Sequence, residues 1–325
     1  MISAPGSSRS AVWRPNDSGR VLLPIRTCTH PEEHIRDEGA IDRGEYLLDN
    51  AWQLARLRLA RLEEQLDPGT VRHLEALGVG AGWRCLEVGG GGGSVADWLC
   101  RRVGPGGSVL ATDVDTRFLE AVRAPNLEVR RHDIVAEKLP GAAFDLVHAR
   151  TVLNHLGRRD VALRRMAAAL RPGGWLLVEE GDWISWAPDP TADAETAALF
   201  RRHWAAHDRF AAARGVDHAY GRRLYGEVCR LGLVEVGAEG RVSMVRGGTP
   251  QAELWRLSFQ QAGEPMVRAG LLAERDLQAL LALLEDPGFV WMGMTIMAVW
   301  GRRPQPDNGE ELAVPAQRVS PGHPE

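Results

Sequence analysis

The sequence predicts an α/β protein built on a doubly wound parallel sheet, and three observations carry that prediction. Between Trp83 and Glu179, short apolar runs alternate with helical patterns. Five consecutive glycines in "CLEVGGGGGS", Cys85 to Ser94, stand between a strand pattern and an apolar helical period. Asp113 and Asp133, twenty positions apart, each end one of the next two strand patterns. Five glycines forfeit side-chain packing and are entropically costly to order, so a flexible linker is the plain alternative. The flanking strand and helix argue instead for a turn whose backbone must approach something closely.

The elements follow in order. Tyr46 to Leu66 spaces its apolar residues for one helix face, and a second helix is expected over Pro68 to Leu77, with Asp67 as its cap and Pro68 in its first turn. Strands are predicted at Cys85 to Val88, Ser108 to Thr112, Leu127 to Arg131, Asp145 to Ala149 and Trp175 to Glu179. Helices are predicted around Ser94 to Val103, Thr116 to Val122 and Asp160 to Leu170. Beyond Glu180 the pattern becomes helical from Thr191 to Arg214, mixed through Val234 to Val245, then helical again to Leu284. The run "FVWMGMTIMAVWGRR" from Phe289 reads as a late strand returning to the sheet. The expected organisation is a mobile tail over 1–42, a helical cap over 43–82 and a ligand-binding core over 83–182. A lid insert over 183–230, a C-terminal part of the sheet over 231–303 and a mobile tail over 304–325 complete it.

Composition narrows the function. The chain has 325 residues, 44% of them hydrophobic, and a formal net charge of -4 from 39 basic and 43 acidic side chains. Its arginines are scattered in pairs such as Arg101-Arg102 and Arg222-Arg223, so no basic face points to nucleic acid or an anionic membrane. Cys28, Cys85, Cys100 and Cys229 form no CxxC pair, which fits a reduced, cytoplasmic setting. No signal-peptide core and no bilayer-length apolar stretch stands in the sequence. Monomer and homodimer are both open at this level.

At the carboxyl ends of parallel strands, a glycine turn lets backbone amides and a helix N-terminus meet an anionic or polar ligand. Gly89, Gly91 and Gly93 give Gly-x-Gly-x-Gly, while Gly91, Gly93 and Ala96 equally satisfy a dinucleotide-type pattern, so the glycines alone do not choose a ligand. Asp113 is placed to accept two hydrogen bonds from a ribose diol. Asp133, in "RRHDIV", can accept from an adenine amino group while Ile134 covers the base. Three strand ends then suit one adenosine.

The series "LEVGGGGGS", "VLATDVD", "RRHDIV", "FDLVHARTVLNHL" and "LRPGGWLLVEE" resembles the class I S-adenosylmethionine-dependent methyltransferases over about Trp83 to Glu180. The flanking "YLLDNAWQLARLRLARLEEQLDPGT" and "VWGRRP" are similar to actinobacterial small-molecule methyltransferases. The resemblance implies a Rossmann-like, seven-stranded doubly wound sheet with an N-terminal helical cap and a helical insert after the fifth strand. It implies S-adenosyl-L-methionine as cofactor, with Glu87 near its amino group, Gly89, Gly90, Gly91 and Gly93 around its amino-acid portion, and Asp113 with Val114 at the ribose. Asp133 and Ile134 would hold the adenine, and Ala149 and Arg150 would border the methionine moiety. It implies a small, largely apolar acceptor. A nicotinamide dehydrogenase and a protein of the same fold that binds the cofactor without methylating, as a cyclase or regulator, are the alternatives.

A sulfonium is already a good leaving group, so a base is needed only for a protonated acceptor. "HARTVLNHL" replaces the Asn/Asp-Pro-Pro-Tyr/Phe motif of amino-group DNA methylation, and no acidic cluster for metal-assisted transfer is evident, so no metal is expected. Candidate bases are Asp182, His203 and His207; Trp204 stands where a zinc protease would carry Glu between two such histidines. His155 reads as packing. Trp183, Trp186, Trp204, Trp255 and Trp291 are candidates for an apolar acceptor pocket, with core packing the default for three of the five.

Overall fold

The computed structural model describes residues 48–305. Tyr46 and Leu47 of the first expected helix, the tail over 1–42 and everything past residue 305 lie outside the described residues. The strands are β1 (Arg84–Val88), β2 (Ser108–Asp113), β3 (Leu127–Arg131), β4 (Phe144–Arg150), β5 (Leu170–Asp182), β6 (Ala187–Pro188), β7 (Val234–Arg241), β8 (Met244–Arg246), β9 (Val290–Met292) and β10 (Thr295–Arg302). Seven of them form one sheet in the order β3-β2-β1-β4-β5-β10-β7. The first five are parallel, and β10 runs antiparallel between β5 and β7. The expected seven-stranded α/β sheet is therefore the one found.

The helices are α1 (Ala55–Ala76), α2 (Ser94–Val103), α3 (Arg159–Ala169), α4 (Ala194–Ala212), α5 (Gly221–Cys229), α6 (Pro250–Arg268) and α7 (Glu274–Glu285). Strand alternation sorts the sheet's side chains onto two covered faces. Leu86, Val88, Val147 and Val178 pack with Leu163 and Met166 of α3 and Leu224 and Val228 of α5. Cys85, Leu146, Leu177 and Ala298 point the other way, onto Leu74 of α1 and Leu99 and Val103 of α2. A second core joins α4, α6 and α7 to the small antiparallel sheet β6-β9-β8 through Phe200, Trp255, Phe259, Leu280 and Trp291. No helix among the described residues is long and apolar enough to cross a membrane.

Three expectations are corrected. The two N-terminal helices are one: α1 continues through Pro68, and the described residues 48–54 before it form turns. Proline removes one helix hydrogen bond, but Leu66, Gly69, Thr70, His73 and Leu74 are buried on either side of it, and that packing outweighs the break. Asp67 consequently caps nothing; it accepts a hydrogen bond from Ser94 Oγ (3.0 Å) and pairs with Arg150 (2.9 Å). The helix expected over Thr116 to Val122 is only the 3-10 turn Leu119–Ala121, because Leu119 is the one buried residue of that turn and a single side chain gives too little packing to hold a short helix. Finally, the late apolar run is two strands: β9 joins the small sheet and β10 the large one, with Gly293 between them donating to Ser243 O (2.9 Å).

Candidate active site

The glycine turn is built by backbone conformation. Gly89, Gly91 and Gly93 have φ of 71°, 53° and 95°, a region that side chains with a Cβ avoid. Gly89 N and Gly90 N donate to Thr112 O (2.7 and 3.0 Å), which ties the turn to β2. A Cβ at Gly89 would stand 2.3 Å from Val152 Cγ2, and one at Gly93 would stand 2.5 Å from Val122 Cγ2. Gly91 N donates to Asp113 Oδ2 (3.0 Å), while Asp113 Oδ1 accepts from Asp115 N (3.1 Å). Burial raises the Asp113 pKa, against those backbone hydrogen bonds.

The turn borders a cavity of about 380 Å³. Glu87, Gly89 to Gly92, Asp113, Val114, Asp133, Ile134 and Arg150 line one end of it. Asp133 Oδ1 is held by Val135 N (2.8 Å) and Ala136 N (3.2 Å), and Ile134 is buried beside it. The cavity does not reach Ala149, which lies wholly in the core, nor Gly93, which packs under the turn. Ala149 sits near the end of β4, and Gly93 stands at the N-terminus of α2.

A charged seam runs behind this end, between the sheet and α1. His148 Nδ1 lies 2.6 Å from Glu87 Oε2, and its Nε2 is at ion-pair distance, 3.5 Å, from Glu179 Oε2. Glu179 also accepts from His73 Nδ1 (2.9 Å) and from Thr70 Oγ1, which in turn accepts from Arg150 Nη1 (2.9 Å). Burial disfavours a charge on His148, but Glu87 and Glu179 outweigh it and raise its pKa to about 9. Burial likewise works against Glu179, yet His148, His73 and Thr70 hold it below the usual carboxylate range. Next along β5, Glu180 accepts from Val152 N (3.0 Å) and Leu153 N (2.6 Å), and burial raises it to about 7.

The other end of the cavity is aromatic. Trp183, Trp255, Phe259, Met294, His207 and His218 line it. Trp183 stacks on Trp204 (4.8 Å between centroids, 12°), and Trp186 and Trp291 sit further back in the second core. His207 is buried and its Nδ1 has no hydrogen-bond partner; burial keeps its pKa well below the ordinary value. His203, one turn earlier on α4, packs edge-on against Phe259 (4.7 Å) outside the cavity, with a pKa lowered by burial to about 3. Asp182 also lies outside: Arg222 Nε and Nη2 grip its carboxylate (2.8 and 2.6 Å), and Ile184 N donates to it (3.0 Å). His155, expected to pack, is on the cavity wall.

Sequence reasoning missed His148, Glu179 and His218. The strand register pairs Glu87 with His148, so parity along two adjacent strands could have placed them on one face. His218 Nδ1 is 2.8 Å from Asp208 Oδ1 on α4, a contact across a loop that no periodicity signals.

Comparison with known proteins comes to the same part of the chain. Residues 86–176 match the family model described as a methyltransferase domain. The chain is 29% identical over 143 residues to methyltransferase str2 of Strobilurus tenacellus, covering 43% of this chain and 50% of that one. It is 36% identical over 121 residues to the ubiquinone/menaquinone biosynthesis C-methyltransferase UbiE of Laribacter hongkongensis, covering 35% of this chain and 49% of that one. The chain thus spans about half the length of the relatives it matches. Among solved structures, Haemonchus contortus phosphoethanolamine N-methyltransferase 2, in complex with phosphomonomethylethanolamine and S-adenosylhomocysteine, superposes with a TM-score of 0.52. It is 14% identical, over 82% of this chain and 61% of that one, a likeness of fold.

Proposed function

We propose that this chain is a class I S-adenosylmethionine-dependent methyltransferase acting on a small, largely apolar acceptor of secondary metabolism. One observation carries the reading: a single cavity joins a glycine-and-carboxylate end to an aromatic end, and the first end belongs to the matched methyltransferase domain. S-adenosyl-L-methionine supplies an electrophilic methyl group on a sulfonium that leaves readily. The chain's residues fit that group. The bare turn at Gly89 to Gly92 admits its amino-acid portion, the N-terminus of α2 favours a carboxylate, and Glu87 Oε1 is left for an ammonium once Oε2 is taken by His148. Asp113 would hold the ribose hydroxyls, Asp133 and Ile134 the adenine, and Arg150 the border of the methionine chain.

Catalysis by such a site rests on alignment and on exclusion of water. Leu59 and Leu62 of α1, Leu254 and Phe259 of α6 and the Trp183 segment wall the cavity and supply that exclusion. Titration calorimetry tests the cofactor: S-adenosylmethionine and S-adenosylhomocysteine are expected to bind at roughly micromolar Kd, and NADH not to bind. Incubation with methyl-labelled cofactor and a metabolite extract, followed by mass spectrometry, tests the acceptor. Label on a small molecule supports the proposal, and label confined to protein or RNA sinks its acceptor half.

A further inference from the structure

We propose that His218, oriented by Asp208, is the base that takes the proton from an acidic hydroxyl of a flat, conjugated acceptor, a phenol or an enol. The inference rests on the methyltransferase reading and deepens it at the aromatic end of the same cavity.

Geometry fixes the tautomer. Asp208 Oδ1 lies 2.8 Å from His218 Nδ1, and an ionised carboxylate only accepts, so Nδ1 carries the hydrogen. In the neutral ring the basic lone pair then belongs to Nε2. Among the described residues Asp208 is the sole side-chain hydrogen-bond partner of His218, and the ring lines the cavity. The ring is clamped in place, 5.0 Å from Trp183, 5.0 Å from Trp204 and 5.2 Å from the near-parallel His207 ring (19°). Burial lowers the His218 pKa below the ordinary value, against the pull of Asp208, so the ring is neutral near pH 7, the form a base needs. The other titratable groups around it are His207 on α4 and His155 on the 3-10 turn Leu153–His155, and Arg58 of α1 lines the same cavity beside His155.

The acceptor class follows from what lines this end. The cavity's carboxylates come from β1, β2, the loops after β2 and β3, and α1 with its approach. The segments carrying Asn154, Trp183, His207, His218 and Trp255 contribute none. An ammonium acceptor would have no counter-charge there. A flat ring can lie against Trp183 and Phe259, and four residues of the lining carry buried polar atoms without a hydrogen-bond partner: His207 Nδ1, Trp183 Nε1, Trp255 Nε1 and Asn154 Oδ1. In the transfer, an oxygen lone pair forms the O–CH3 bond, the hydroxyl proton passes to His218 Nε2, and the electrons of the broken S–CH3 bond stay on sulfur.

The test needs no turnover. The whole chain, first shown by calorimetry to bind S-adenosylhomocysteine, is titrated with 4-nitrophenol and with umbelliferone at about pH 6, below the range where either ionises fully in water. Anion absorbance is read on binding. The wild type is expected to bind at least one of the two and to raise its anion fraction several-fold. His218→Asn, which keeps a donor for Asp208, should bind without ionising. Asp208→Asn should lose most of the ionisation, because an amide no longer dictates the tautomer. Thermal melts report whether each variant is folded, and the exposed Asp208 substitution serves if His218→Asn is not. Equal anion fractions in wild type and both variants overturn the assignment, as does binding of neither phenol by protein that binds S-adenosylhomocysteine. Failure to bind S-adenosylhomocysteine instead overturns the methyltransferase reading itself.

Discussion

His148 and Glu87 are register partners on adjacent parallel strands, both buried, with 2.6 Å between Nδ1 and Oε2. The pair places a positive ring behind the carboxylate that faces the cavity. Glu179 flanks the ring from the other side, so one cation is held between two acids in a dry seam.

That seam makes stability depend on pH. A folded-state pKa of about 9, against 6.5 for free histidine, stabilises the fold fully below pH 6.5; the stabilisation is lost as pH rises through 9. Glu180, raised to about 7, acts in the same direction from the carboxylate range up to pH 7. Melting temperature is therefore expected to fall steadily between pH 6.5 and 9, and His148→Asn, though less stable, should show a much flatter profile over that window. A wild-type profile that rises or stays level there would falsify the charged assignment of His148.

Asp113 should matter to ligand binding more than to folding. Its carboxylate faces the cavity and holds Gly91 N and Asp115 N, so Asp113→Ala loses ligand hydrogen bonds and slackens the turn. S-adenosylhomocysteine affinity is expected to weaken by about 1 to 3 kcal/mol. Calorimetry showing unchanged affinity would reduce Asp113 to a turn residue.

Two glycines separate backbone strain from close approach. Gly89 and Gly104 both have positive φ, but a Cβ at Gly104 meets nothing within 4 Å, while one at Gly89 runs into Val152. Gly104→Ala should cost about 1 to 3 kcal/mol and leave ligand binding intact. Gly89→Ala should cost more in thermal stability and also abolish S-adenosylhomocysteine binding. Similar behaviour of the two variants would mean that the turn does not need its bare backbone.

Asp182 is expected to serve the fold and not the chemistry. Asp182→Asn gives up one charge of its pair with Arg222, whose side chain is half exposed, so the loss should be near 1 kcal/mol. Ligand affinity and methyl transfer should stay within a factor of about two. A collapse of transfer in a stably folded variant would return Asp182 to the list of candidate bases.

The sequence by itself determined the sheet's parallel half and the glycine end of the site. The bounds of β1, β2 and β3 follow within a residue from local alternation and from the glycine and aspartate punctuation. Glu87 and Asp113 lie at the ends of β1 and β2, and Asp133 two residues past β3, because each is placed by its own strand. Only the tertiary structure decided the rest. Helix propensity breaks α1 at Pro68, but burial on both sides of the proline carries the helix through. The spacing of His203 and His207 puts them on one face of α4, yet only His207 stands level with the cavity, while His203 meets Phe259. The His218–Asp208 contact joins a loop to a helix. Periodicity encodes which side of an element is buried; which neighbour it is buried against depends on how separate elements pack, and the chemistry of the aromatic end is made of such contacts.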